Sequence, residues 1–388
     1  MGSISAANAE FCFDVFKEVK LHHPNDNIFY CPLSMIAALA MVYLGARNNT
    51  EHQMEKVLHF DKIAGLGSIQ TKCGKSVNIH LLFKEILSDI TAPEANYSLH
   101  IANRLYAEKT SQILPIYLKC VKKLYRSGLE MVNFKTASNQ ARQRINSWVK
   151  NQTNGQIQDF LEPSSVNPQT ALVLVNAIYF KGKWKTPFKE EHTEEVPFNV
   201  TEHTTKPVPM MYLRDKFNLN YIESVQADVL ELPYVNNDLS MFILLPSDIS
   251  GLQKLERELT FENLSAWTNP ELMEKMNMEV YLPRFTLEEK YDLKSTLSRM
   301  GIKDAFTEGQ ADFTAMSKTG DLFLSQVFHK CYLEVNEEGT EAAAASSATL
   351  ASRSLGATVI FLADHPFLFF IRHNKTKTIL FLGRFSSP

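Results

Sequence analysis

The sequence predicts an α+β fold, in which helices and strands interleave without the strict alternation of a doubly wound sheet. Three observations lead to this class. Apolar residues recur with a helical period in the first half, and continuous apolar runs typical of buried strands follow in the second half. No linker, internal repeat or charge block divides the 388 residues. We therefore expect one domain that spans residues 1–388.

Helices are predicted mainly in the first half of the chain. The second predicted helix lies in an apolar stretch of about 17 residues, the lower limit for a membrane span. Because Pro32 and Ser34 interrupt that stretch, we interpret it as a buried helix that begins near Pro32. We expect no membrane contact. The three predicted helices cover residues 7–19, 34–44 and 139–151.

Strands are predicted mainly in the second half. Residues 171–180 form a continuous apolar run, as expected for a strand that is covered on both faces. Shorter apolar segments predict further strands at residues 240–245, 278–282, 367–371 and 378–383.

The charge balance argues against nucleic-acid binding through bulk charge. The chain has 40 Lys and Arg residues against 43 Asp and Glu residues, a formal net charge of −3. The five cysteines form no CxxC pair, and their odd number leaves at least one thiol without an intramolecular partner. We expect no zinc cluster, and cysteine usage alone leaves the redox compartment open. The cysteines are Cys12, Cys31, Cys73, Cys120 and Cys331.

The local signatures of common enzymes are missing. The sequence contains no GxSxG, HExxH, GxGxxG or GxxxxGK[ST] motif. His22 and His23 are interpreted as surface residues, and we expect no metal and no cofactor. A basic group is interpreted as a solvated helix face rather than a polyanion site. A hydrolase with a dispersed Ser/His/Asp triad remains an alternative. The basic group consists of Lys119, Lys122, Lys123 and Arg126.

Residues 337–358 differ from the rest of the chain. This stretch, EEGTEAAAASSATLASRSLGAT, is rich in small residues and has one basic residue, Arg353. On composition alone it would be an exposed loop or a fraying Ala-rich helix.

Several segments, found in the expected order over essentially the whole chain, resemble those of the serpins, a family of serine-protease-inhibitor-like proteins. The resemblance is closest to the ovalbumin-like (clade B) branch. It implies three β-sheets with about nine helices and an exposed reactive-centre loop, here about residues 337–358. The segments are residues 27–34, 174–184, 206–211, 282–285, 361–371 and 381–388.

The resemblance also implies a mechanism and its residues. A serpin traps a protease when the cut loop inserts into a β-sheet as a new strand. The inhibitory hinge pattern is complete in this chain, and family spacing places the scissile bond at Arg353–Ser354. An Arg at this position suits trypsin-like proteases, whose primary pocket carries an acid. The hinge residues are Glu337, Gly339, Thr340, Ala342, Ala343, Ala344 and Ala345.

The alternation of side chains along residues 340–350 is consistent with insertion of this segment as a strand. Successive side chains of a strand point to opposite faces. The inward set would be uncharged and mostly small, whereas Glu341 would point outward. A one-residue slip would bury that carboxylate at a cost of several kcal/mol. The inward set is Thr340, Ala342, Ala344, Ser346, Ala348 and Leu350.

Other residues match supporting positions of the family. The resemblance implies a polar "shutter" of Ser34, Asn176 and His329 beneath the sheet, with Cys31 where many relatives have Ser. A charge pair of Glu337 and Arg284 and the aromatic Trp184 match the loop's entry point. The same resemblance implies one disulfide, between Cys73 and Cys120.

We therefore expect a monomeric inhibitor, without catalytic residues of its own, that forms a covalent acyl complex with a trypsin-like serine protease. The alternative is a non-inhibitory storage or binding serpin like ovalbumin. The N-terminal residues lack the pattern of a cleavable signal peptide. We expect an extracellular location reached without a cleavable leader, with the cytoplasm as the alternative. Among six Asn-x-Ser/Thr triplets, Asn96 is the candidate glycosylation site.

Overall fold

The described part of the chain contains nine α-helices and fourteen strands. The structure is a computed structural model that describes residues 3–63, 72–74, 77–92, 97–338 and 357–388. The helices are α1 (Ile4–His22), α2 (Pro32–Gly45), α3 (Asn48–Val57), α4 (Val77–Ile90), α5 (Pro115–Tyr125), α6 (Phe134–Gln152), α7 (Leu252–Arg257), α8 (Phe261–Trp267) and α9 (Lys294–Met300).

The strands are distributed along the whole chain. They are β1 (Ile28–Tyr30), β2 (Tyr97–Glu108), β3 (Leu129–Val132), β4 (Leu172–Gly182), β5 (Glu194–Asn199), β6 (Thr205–Ile222), β7 (Ala227–Pro233), β8 (Leu239–Pro246), β9 (Glu274–Pro283), β10 (Phe285–Asp292), β11 (Leu324–Val335), β12 (Val359–Leu362), β13 (Phe367–His373) and β14 (Thr378–Phe385).

The predicted helices are present and longer than expected. α1 begins after Ser3, whose side chain accepts a hydrogen bond from the backbone N–H of Ala6. α2 begins at Pro32, where a proline costs no helical hydrogen bond, and all its residues are buried. The apolar stretch is therefore a core helix. In the described ranges, no helix combines the length and hydropathy that a membrane crossing requires.

The prediction of a mainly helical first half is wrong in two places. The three-residue strand β1 precedes α2, and the 12-residue strand β2 and the short strand β3 lie between α4 and α6. β2 shows no clean apolar alternation because polar residues such as Asn103 and Arg104 interrupt it. The acidic segment 190–195 is a 3₁₀ turn followed by the first residues of β5.

Five strands form one sheet in the order β10-β11-β4-β2-β3. β11 and β4 are its parallel central pair, and β10 and β2 flank them in antiparallel orientation. α2 packs on one face and α6 on the other, so that β4 is buried along nearly its whole length. This explains the continuous apolar run at residues 171–180.

The other nine strands form one hydrogen-bonded network, in the order β1-β14-β13-β8-β7-β6-β9-β12 with β5 also paired to β6. The expected three sheets appear here as two networks because the 18-residue strand β6 runs continuously through the larger one. Residues 205–210 of β6 pair with β5, residues 218–222 pair with β7, and residues 210–219 pair with β9.

Candidate functional site

The centre of the candidate site is the junction of β4 and β11, which we call the β4–β11 seam. The two strands pair directly and in parallel from Leu324 to Leu333 of β11. In this register, His329 of β11 stands opposite Asn176 of β4. Although they are 153 residues apart, two of the three predicted shutter residues are therefore neighbours across the seam.

Hydrogen bonds join the three shutter residues in one chain. His329 Nε2 accepts a hydrogen bond from the backbone N–H of Cys31 at 3.1 Å, so its Nδ1 carries the proton. That Nδ1–H donates to Asn176 Oδ1 at 2.6 Å. Asn176 Nδ2 in turn donates to Ser34 Oγ, also at 2.6 Å. The donors and acceptors beneath the seam thus form one series of hydrogen bonds, from Cys31 through His329 and Asn176 to Ser34.

The shutter holds its histidine neutral. His329 is fully buried, and the loss of hydration lowers its pKa to about 3. A proton added to Nε2 would also break the bond from Cys31, because that nitrogen would become a donor. The neutral imidazole therefore holds Cys31, the residue before α2, against the seam.

Cys31 occupies the position before α2 and is buried. Its side chain makes no capping hydrogen bond to the helix. Burial raises the pKa of this thiol to about 12, so the group stays protonated and unreactive.

The predicted charge pair lies at the C-terminal end of β11. Arg284 Nη1 is 3.1 Å from Glu337 Oε1, and the Thr193 hydroxyl donates to the same oxygen at 2.7 Å. The Glu337 side chain is only 6% exposed, whereas Arg284 is half exposed. A nearly buried carboxylate with these two donors fixes the chain where the 337–358 stretch begins.

Trp184 holds the backbone on both sides of Glu337. Its indole Nε1–H donates to the backbone oxygen of Asn336 at 2.8 Å, and its backbone N–H donates to that of Glu338 at 3.2 Å. The indole ring stacks on Tyr234 with the centroids 4.4 Å apart. Gly182 leaves room for this stack, since a Cβ there would lie 2.4 Å from the Tyr234 ring.

Sequence reasoning missed two participants of this entry region. The Thr193 hydroxyl donates to Glu337 Oε1 from 144 residues away. Lys181 forms a 2.6 Å ion pair with Glu338, which lowers the pKa of that carboxyl. No local pattern signals either contact, because each depends on how β4 and β5 pack beside the end of β11.

Cys73 and Cys120 form a disulfide whose Cα atoms are 5.8 Å apart. It joins the segment before α4 to α5. The other three cysteines, Cys12, Cys31 and Cys331, are free and buried.

The remaining candidates from the sequence are the two adjacent histidines and the basic group. His22 is exposed, and His23 pairs with Asp26 at 3.2 Å. The basic group lies on the exposed side of α5 and at Arg126, the residue that follows the helix. In the described part of the chain, no three His, Cys, Asp or Glu side chains are placed to hold a metal ion.

Comparison with known families identifies this arrangement. Residues 6–388 match the family model described as "Serpin (serine protease inhibitor)". The chain belongs to the serpin family. The expected α+β serpin fold is thereby confirmed, including nine α-helices among the described residues.

Both ovalbumin names and an inhibitor name occur among the relatives of this serpin. Ovalbumin-related protein Y of Gallus gallus is 52% identical over the full length of both chains. Leukocyte elastase inhibitor of Equus caballus is 47% identical, again over both full lengths. Among solved structures, uncleaved ovalbumin superposes with a TM-score of 0.90 at 48% identity and covers both chains completely. The resemblance to the ovalbumin-like branch is thus confirmed.

Most of the predicted reactive-centre loop of this serpin lies outside the described residues. The structure describes Glu337 and Glu338 at its beginning and residues 357–358 before β12 at its end. The following predicted residues fall between them: Gly339, Thr340, Ala342, Ala343, Ala344, Ala345, Arg353 and Ser354. The candidate glycosylation site Asn96 also lies outside the described ranges.

Proposed function

We propose that this serpin inhibits trypsin-like serine proteases by suicide-substrate trapping, with cleavage at Arg353–Ser354 and insertion of residues 340–352 at the β4–β11 seam. It would act as one monomeric domain over residues 1–388. The observation that carries the proposal is the direct parallel pairing of β4 and β11, together with a complete inhibitory hinge immediately after β11.

The direction of the chain suits insertion. A segment that turns back after Val335, the last residue of β11, runs antiparallel to β11 and therefore also to β4. An inserted strand would replace one parallel ladder with two antiparallel ones, which are slightly more stable per residue. The lengths also agree: β11 has 12 residues and β4 has 11, and the proposed strand has about 13 residues, at roughly 3.3 Å each.

The chemistry belongs to the protease. Its serine Oγ attacks the carbonyl carbon of Arg353, and an acyl-enzyme ester forms. The Arg353–Ser354 peptide bond breaks, and the amine of Ser354 leaves with the proton that the serine gave up. Insertion then competes with hydrolysis of the ester by water. If insertion is faster, the protease is carried away from its substrate-binding geometry and the ester persists.

The contacts around the seam control when insertion begins. Separation of β4 from β11 requires the bond between His329 and Asn176 to break. Entry of the hinge requires rearrangement around Glu337, which Arg284 and Thr193 hold. These residues have no part in cleavage and act as positioning residues for the strand exchange.

We also propose that the protein acts outside the cell. The Cys73–Cys120 bridge supports this location, because disulfides persist mainly in oxidising compartments. A cytoplasmic location is the alternative.

A non-inhibitory storage or binding role is the second candidate function. It is supported by the 52% identity to ovalbumin-related protein Y over both complete chains. The complete hinge and the uncharged inward set of the proposed strand favour inhibition over this role.

A gel after mixing the protein with trypsin separates the two functions. An inhibitor produces a high-mass band that resists boiling in detergent, whereas a storage protein is cut or left intact and releases active trypsin. Arg353→Glu should abolish the covalent band because a carboxylate repels the acid in the protease pocket. Arg353→Lys is the matched control and should retain it. An undiminished band with Arg353→Glu would show that another bond is cleaved.

A further inference from the structure

Five of the six Asn-x-Ser/Thr triplets have their asparagine in the described part of the chain, where the surroundings of each acceptor amide can be compared. Such triplets accept N-linked oligosaccharides in secreted proteins. We propose that Asn151, in the last turn of α6, carries an N-linked oligosaccharide and that Asn374 carries none. The proposal rests on the extracellular location proposed above. The five asparagines are Asn48, Asn151, Asn199, Asn263 and Asn374.

The helical repeat of α6 turns Asn151 away from the rest of the protein. Ala141, Ile145 and Val149 are buried, and their spacing of four residues places them on one face of the helix. Asn151 follows Val149 by two residues, a rotation of about 200° around the helix axis. It is exposed, as are the residues four and eight positions before it. An oligosaccharide at this position would extend into solvent, away from the sheet on which α6 packs.

The side-chain amide of Asn151 is also available for attachment. An N-linked oligosaccharide replaces one of the two hydrogens of Nδ2, so hydrogen bonds from this nitrogen to the fold oppose it. Within the described residues the Asn151 amide makes no hydrogen bond. By contrast, Asn48 donates to Asp312 Oδ2 at 2.6 Å, and Asn263 donates to the backbone oxygen of Glu258 at 2.7 Å.

Asn374 has the opposite surroundings, although its triplet Asn-Lys-Thr is equally complete. Its Nδ2 donates twice, to the backbone oxygen of Asn237 at 2.8 Å and to Ser240 Oγ at 2.9 Å. Its Oδ1 is buried. Attachment of a sugar would break one of these bonds and push the amide out of its packed position. Asn199 is intermediate, since it is half-buried and donates to the backbone oxygen of Asp364 at 3.2 Å.

The modification would precede the folding of α6. In the transfer step, Asn151 Nδ2 bonds to the anomeric carbon of an oligosaccharide whose bond to a lipid diphosphate breaks. The lipid diphosphate leaves, and one Nδ2 proton passes to the transferase. In the folded protein Thr153, the third residue of the triplet, is buried and donates to the backbone oxygen of Val149 at 2.8 Å. A transferase that recognises this hydroxyl therefore acts on the unfolded chain, and the exposed position of Asn151 allows the modified chain to fold.

The test uses the full-length protein secreted by eukaryotic cells. Enzymatic release of N-linked oligosaccharides in heavy-oxygen water converts each modified asparagine to a labelled aspartate, which mass spectrometry of peptides locates. The Asn151 peptide should be labelled in most molecules, and the Asn374 peptide should be unlabelled. Secreted protein with an unlabelled Asn151 peptide would overturn the proposal. A labelled Asn374 peptide would refute the distinction drawn from the amide hydrogen bonds.

Two substitutions of exposed asparagines provide a matched comparison. Asn151→Gln should remove one oligosaccharide, which appears as a single step of increased mobility on a gel. Asn25→Gln changes an exposed asparagine outside any triplet and should leave the mobility unchanged. Because the Asn151 amide makes no hydrogen bond within the described residues, its replacement leaves the fold intact. An unchanged mobility of Asn151→Gln would contradict the proposal.

A version of the full chain with a cleavable N-terminal leader separates this site from the proposed location. The leader directs the chain into the secretory pathway and is removed there. If the native chain stays unlabelled in the cytoplasm while the leader version is labelled at Asn151, the location is wrong and the acceptor site is correct. If the leader version is secreted without the label, the acceptor site is wrong. Neither result depends on protease inhibition.

Discussion

His329 and Asn176 face each other on two parallel strands, and the imidazole Nδ1–H donates to the amide oxygen across 2.6 Å. The bond crosses the line along which the five-stranded sheet would have to open. Because Cys31 donates to the other imidazole nitrogen, the ring makes both contacts only while it is neutral. The neutral imidazole thus joins the seam to Cys31, the residue before α2.

Acid should weaken the native state through this histidine. Burial lowers the pKa of His329 from 6.5 to about 3. As the pH falls, the unfolded chain therefore binds this proton before the folded protein does. The stability that the neutral histidine contributes is complete above pH 6.5 and falls as the pH drops towards 3. Between pH 6.5 and 5 the loss is about 2 kcal/mol for one such group.

Urea unfolding at pH 6.5 and pH 5 measures this effect. The difference in the free energy of unfolding between the two pH values should be about 2 kcal/mol smaller in His329→Gln than in the parent protein. It should be unchanged in the exposed variant His22→Gln. Some acid sensitivity should persist in His329→Gln because burial also lowers the pKa of His80 to about 3. The same pH dependence in the parent and His329→Gln would show that another group controls acid stability.

The two glutamates at the end of β11 should differ in their effect on stability. Glu337→Ala removes a nearly buried carboxylate and leaves Thr193 and Arg284 without their acceptor, at a cost of about 1–3 kcal/mol. Glu338→Ala removes a surface pair with Lys181, and such pairs contribute about 0–1 kcal/mol. Urea unfolding of the two variants checks the order. A larger loss for Glu338→Ala would contradict the arrangement described for this region.

Two neighbouring hinge residues that face opposite sides of the proposed strand provide a test of insertion. In the proposed strand Thr340 faces inward, and Glu341 faces outward. Thr340→Arg forces a cation towards the core. If about 3 kcal/mol of its desolvation cost enters the insertion barrier, insertion slows roughly 100-fold. The variant should then be cut at Arg353–Ser354 and release active trypsin, whereas Glu341→Arg should retain most of the trapping. Equal behaviour of the two variants would refute the inserting-strand assignment.

The disulfide should contribute measurably to stability. The bridge closes a loop with a sequence separation of 47 residues, for which the chain-entropy model gives about 4 kcal/mol. Replacement of both Cys73 and Cys120 by serine should lower the free energy of unfolding by about that amount. Mass spectrometry of peptides from secreted protein should find these two cysteines linked and the other three free. Five free thiols would also argue against an extracellular location.

Periodicity predicted the elements that bury an uninterrupted apolar surface, such as α2 and β4. It missed β2, because that strand is half-exposed over its first residues and carries Asn103 and Arg104 further on. For the site, family resemblance supplied Ser34, Asn176 and His329, since no local pattern links hydrogen-bonded residues that are 142 and 153 positions apart. Thr193 was missed for the same physical reason: its role depends on packing between distant strands.

The parallel pairing of β4 and β11 has a consequence for how the lifetime of the intact molecule is set. Under the proposed function, a chain with an added central strand has the lower free energy, so the uncut protein persists because the strands separate slowly. Heating then reports a rate rather than an equilibrium, and the apparent melting temperature rises with the scan rate. The intact protein is therefore kinetically stable: its lifetime depends on the height of the barrier to strand separation and not on its equilibrium free energy.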